Sequence, residues 1–79
     1  MPRYFFHIMG SNGIIDRDFD GYEFSDVEGA REEAHKLANE LIFDALADGT
    51  NAREIIEVAD EAGRVVLRLE CAGMEELPA

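Results

Sequence analysis

Residues 25–48 read SDVEGAREEAHKLANELIFDALAD, and this stretch decides the fold. Ser25-Asp26-Val27-Glu28 has the form of a capping box, with Ser25 as the cap and Glu28 reaching back from the third helical position. Asp26 and Glu28 also suit the positive end of a helix. Beyond them Val27, Ala30, Ala34, Leu37, Ala38, Leu41 and Ala45 recur at helical spacing, in a stripe about 100° wide. The pattern predicts one helix from Asp26 to Asp48, with Gly49 as its stop. Such a helix spans about 34 Å, against about 23 Å for a seven-residue strand, so it is expected to overhang the sheet it covers.

Working outward, both flanks read as strand pairs. Arg3 to Met9 is rich in aromatic and β-branched residues; Tyr4, Phe6 and Ile8 share one face, and Phe5, His7 and Met9 share the other. Gly10-Ser11-Asn12-Gly13 is a hairpin signal, and Ile14-Ile15-Asp16 starts the return strand. Asp16 to Phe24 reads as an acidic connection. After the helix, Ile55, Ile56 and Val58 suggest a third strand and Asp60-Glu61-Ala62-Gly63 a turn. Val65, Leu67, Leu69 and Cys71 then alternate with Val66, Arg68 and Glu70. Met74 to Ala79 reads as a frayed tail. The expectation is a single α+β domain over residues 1–79, in the order ββαββ. It has a four-stranded, largely antiparallel sheet with one long helix packed on one face, burying Phe6, Ile8, Val65, Leu67 and Leu69. Strand order stays open, with the apolar first and last strands expected near the centre.

Composition narrows the function classes. The chain has 79 residues, enough for one domain. Hydrophobic residues make up 47%, so a core can form and a disordered acidic tail is excluded. A chain this short buries only roughly 60% of its unfolded surface, which leaves a lone copy marginal. Seven Lys and Arg face 18 Asp and Glu, a net charge of -11, and most of the acidic excess lies between residues 16 and 48. That balance opposes binding to nucleic-acid phosphates and to anionic membranes. Cys71 is the single cysteine, so no intrachain disulfide can form. No signal-peptide pattern and no apolar run of about 20 residues is present, and a cytoplasmic protein is expected.

Met1-Pro2-Arg3-Tyr4-Phe5-Phe6-His7 resembles the opening of a family of short bacterial domains of unknown function. Asp18-Phe19-Asp20-Gly21, Glu23-Phe24, Asp26, Ala30-Arg31 and Glu33-Ala34 are similar to it as well. Val58, Asp60, Gly63 and the hydrophobic run that follows resemble its closing hairpin. The likeness covers nearly the whole chain. It implies the opening aromatic strand and the acidic turn, and carries over no activity, cofactor or catalytic residue.

Candidate sites are few. Asp16-Arg17-Asp18-Phe19-Asp20-Gly21 has the D-x-D-x-D-G spacing of a calcium loop. The twelfth position, which should be Glu, is Val27, and the reading preferred is an acidic turn. His7, His35 and Cys71 are the soft ligands, without the spacing of a zinc site. His7 is expected to be a partly buried strand residue and Cys71 a core residue. No phosphate loop or nucleophile elbow occurs, so no enzyme, metal or cofactor is expected.

The interface candidates are apolar. On the helix Phe43 falls opposite the core stripe, with Ile42 and Leu46 beside it. On the sheet, Phe5, His7 and Met9 share the second face with Ile55, Val66, Glu57, Arg68 and Glu70. Aromatics on an open sheet suit RNA stacking, but the net charge opposes it. The expected function is therefore a non-enzymatic interaction module, homodimeric through Phe43, Ile42 and Leu46 or through Phe5, His7 and Met9. The alternative is an acidic, antitoxin-like regulatory protein that binds a basic protein.

Overall fold

The computed structural model describes residues 1–10, 13–48 and 54–78, with no side chain described at 15 or 44–48. Its elements are β1 (Arg3–Gly10), β2 (Gly13–Asp16), β3 (Tyr22–Glu23), α1 (Val27–Asp48), β4 (Ile55–Ala59), β5 (Val65–Glu70) and β6 (Glu75–Leu77). The sheet order is β2-β1-β4-β5-β6, with β3 pairing to the same edge of β1 beyond β2. Every pairing is antiparallel. The architecture is α+β, as expected, but βββαβββ replaces the four-stranded ββαββ reading. The two apolar strands β1 and β5 both lie inside the sheet, separated by β4.

The two missed strands have physical reasons. Tyr22–Glu23 is too short to show a period, and it pairs Arg3 with Glu23 and Tyr4 with Tyr22. Glu75–Leu77 sits where a frayed tail was expected and has no apolar alternation. It is held by register against β5 and by Glu76, whose carboxylate lies 3.1 Å from Arg31 Nε and 3.2 Å from His35 Nε2 on α1. The hydrogen bond from His35 holds the Glu76 carboxyl below its ordinary value, with Arg31 adding to the effect.

The helix starts one residue later than expected. Asp26 Oδ1 accepts the Gly29 backbone N–H at 3.1 Å, so Asp26, and not Ser25, is the cap. Glu28 turns outward and pairs with Arg31 one turn on. Gly49, the expected stop, and Ser11-Asn12 of the first hairpin lie outside the described residues.

The helix lies over β4 and β5. Ala30, Ala34 and Ala38 are fully buried along one stripe, and their small size lets the helix sit close to the sheet. They meet Tyr4, Phe6, Ile56, Val58, Leu67, Leu69 and Cys71. Burying a side chain such as Leu69 contributes about 2 kcal/mol. Ile8 is only half-buried. Val65 is exposed, contrary to expectation, because the β4–β5 register shifts after Val58 and sets Ala59 opposite Val65. The same bulge lets Val66, expected on the far face, pack on the core.

Candidate functional site

The acidic turn is built as a lock on β1. Between its pairings with β2 and β3, that edge of β1 leaves the Phe6 N–H without a strand partner; Asp18 Oδ2 accepts it at 3.1 Å. The other carboxylate oxygen accepts the N–H groups of Asp20 and Gly21 at 3.2 and 3.0 Å. The Asp18 N–H donates to His7 Nδ1 at 3.1 Å, which assigns the ring proton of neutral His7 to Nε2. Arg3 Nη1 donates to the Asp20 carbonyl at 2.8 Å, and its Nη2 to Glu23 at 3.2 Å. Gly21 has φ +71°, and a Cβ there would stand 2.8 Å from the Tyr4 carbonyl oxygen. Asp18 and Gly21 thus fasten the turn to β1, with both Asp18 oxygens engaged by backbone donors. No group of three or more His, Cys, Asp or Glu placed to hold a metal occurs among the described residues.

Cys71 and His7 lie on opposite faces of the sheet and are not placed for cysteine–histidine chemistry. Cys71 is fully buried on the helix side, whereas His7 alternates to the other face beside Phe5 and Met9. Burial pushes the Cys71 thiol up to about 11, with Glu54 and Glu70 adding to the rise, so the thiolate is scarce at neutral pH.

Two surfaces remain. The first is the face of the sheet turned away from α1. Directly opposed residues share a face, so the register sets His7, Glu57, Arg68 and Leu77 in one row and Met9, Ile55, Glu70 and Glu75 in the next. Phe5 and the buried Ala59 form a third. Arg68 Nε lies 3.3 Å from Glu57 Oε2. Phe5, His7, Met9, Ile55 and Leu77 are all half-buried, and α1 lies on the other side of the sheet. Leu77 was not foreseen here, because its strand was read as a tail.

The second is a groove of about 320 Å³ on the helix side. Its floor is Phe6 and Ile8, one wall is Leu37, and the other is the turn from Asp16 to Asp20 with Tyr22. Phe19 is 80% exposed and Tyr22 59%, although Tyr22 also packs edge-on against Phe6 at 5.9 Å. Sequence reasoning missed this groove. A phenylalanine flanked by aspartates on a short connection was the available signal.

On the helix, Phe43 is 77% exposed. Ile42, expected beside it on the outer patch, is instead half-buried and packs on the core. The side chain of Leu46 lies outside the described residues. No helix is long and apolar enough to cross a membrane among the described residues.

No curated protein and no solved structure shows significant similarity to the chain. One family model does match, over residues 3–72, from the first strand through the turn after β5. That span includes the Arg3, Asp18 and Gly21 lock, the helix and both interior hairpin strands, so the chain belongs to the family described as domain of unknown function DUF6894.

Proposed function

We propose that this chain is a non-catalytic interaction module whose sheet face turned away from α1 pairs with a second copy of itself. One observation carries the reading. A solvated sheet face places polar side chains at alternate positions, but here Phe5, Met9, Ile55 and Leu77 share those positions with His7, Glu57, Arg68, Glu70 and Glu75. Charge complementarity favours a second copy as the occupant. The face carries Arg68 among Glu57, Glu70 and Glu75, so a two-fold pairing brings Arg68 of each copy toward carboxylates of the other. The remaining surface is dominated by acidic residues and would repel its own copy.

Size sets the strength. A face of four or five strands, each about 20 Å long and spaced about 4.8 Å, offers roughly 400 Å² of flat area per copy. Two copies bury roughly 800 Å², in the transient class, so the pair is reversible and weak. The exposed Phe43 supports a second reading, pairing through the helix. Ile42 is already committed to the core, which leaves that patch smaller.

Amide chemical shifts recorded over a concentration series separate the two. Pairing through the sheet moves Phe5, His7, Met9, Ile55 and Arg68; pairing through the helix moves residues around Phe43. Shifts independent of concentration would contradict both.

A further inference from the structure

We propose that the groove between α1 and the turn from Asp16 to Asp20 is a docking site for a basic, amphipathic segment of another protein, with an arginine as its anchor. This goes beyond the pairing proposed above, and it uses the opposite face of the sheet. The groove has an apolar floor and wall, the buried Phe6 with the half-buried Ile8 and Leu37. Phe19 and Tyr22 stand at its mouth with much of their ring surface exposed. The carboxylates of Asp16 and Asp20 line the same mouth, and neither has an ion-pair partner among the described residues. Glu33 and Glu40 stand four residues before and three after Leu37, on the same edge of α1. Arg17 is the one base in the lining.

The occupant follows from the chemistry. A purely apolar ligand leaves the carboxylates without a partner, and an anion is repelled. A free inorganic cation gains nothing from the rings and the aliphatic floor. An arginine side chain satisfies all parts at once. Its methylene stem lies on Phe6, Ile8 and Leu37, while its guanidinium meets the faces of Phe19 and Tyr22 and the carboxylates of Asp16 and Asp20. Neighbouring basic residues of the same segment face Glu33 and Glu40. The acidic rim, continued along α1 by Glu33 and Glu40, selects a basic segment.

The test is a titration of the isotope-labelled chain, kept dilute, with a synthetic peptide of alternating arginine and leucine, and with a matched peptide carrying glutamate for arginine. The expected result is saturable amide shifts at Phe6, Ile8, Phe19, Asp20, Tyr22 and Leu37 with the arginine peptide alone. Phe19→Ala and Asp20→Asn, both at exposed side chains and so compatible with folding, should each weaken binding about threefold or more. Three results would overturn the proposal. One is shifts spread without saturation over Glu28 and Glu32 on the far side of α1. Another is binding unchanged in both variants. The third is groove shifts that appear with rising protein concentration and no peptide, which would make a second copy the occupant.

Discussion

The two faces of one sheet are built from the same strands, and alternate residues send them to different ends. On the helix side Ile56, Val58, Leu69 and Cys71 are fully buried with no charged group among them. On the other side their immediate neighbours Ile55, Glu57, Arg68 and Glu70 are half-buried, apolar and charged in turn. The first face is finished within one chain. The second has the side chains of a contact surface, and among the described residues the turn at Asp18 and Gly21 touches it at His7 and Phe5 while α1 lies on the other side. The difference teaches that strand periodicity here specifies two tasks, a core and a meeting surface. The polar row His7, Glu57, Arg68 marks which is which.

The largest effect should come from the finished face. Leu69→Ala removes a fully buried side chain under close-packed alanines and should cost about 2–5 kcal/mol in thermal or denaturant unfolding. Ile55→Ala, one face over, should cost well under half of that in a dilute sample, because water already reaches it. Equal losses at the two positions would mean that the open face is as sealed as the core.

Next comes the lock that holds β1, the strand shared by both faces. Gly21→Ala forces a side chain into a left-handed backbone at φ +71° and against the Tyr4 carbonyl, so unfolding should become easier by about 1–3 kcal/mol. If the alanine variant melts at the wild-type temperature, the turn is not fastened to β1 as described.

Cys71 reports on the buried side through pH. Its thiol titrates near 11 when folded, against an ordinary value of 9.0, so the folded chain holds the proton longer than the unfolded one. The group therefore leaves stability unaffected below pH 9 and lowers it as pH rises from 9 to 11. Iodoacetamide should modify the native protein slowly at neutral pH and rapidly once it is unfolded. Fast labelling of the native state would place the thiol outside the core.

The smallest effect is expected at Phe43. Phe43→Asp replaces a ring that is 77% exposed and should change stability by no more than about 0.5 kcal/mol. It should also leave self-association unchanged. A shift to monomer in this variant would move the meeting surface from the sheet to the helix.

Much of this was legible in the residues. The alanine stripe of α1 and the alternation of Leu67, Leu69 and Cys71 fix the core because helix and strand periods are geometric. The sequence also points to Phe5, His7 and Met9 as a shared second face. What escaped is held by single contacts instead of by periodicity. Tyr22–Glu23 becomes a strand because Arg3 and Asp18 bind its turn to β1, and Glu75–Leu77 because Glu76 reaches Arg31 and His35. The bulge that exposes Val65 and draws in Val66 leaves no mark in an unbroken apolar pattern. The groove escaped for the same reason, since its two walls are far apart in the chain and meet only through the fold.

Sedimentation equilibrium on the wild-type chain and on Ile55→Asp tests the central claim most directly. The wild type should pass from one-copy to two-copy mass as concentration rises from about 10 μM toward about 1 mM, the range of a small transient interface. Ile55→Asp should hold the one-copy mass throughout while keeping its fold. A wild type of one-copy mass across that whole range, or a variant that associates as well as the wild type, would contradict pairing through the open face of the sheet.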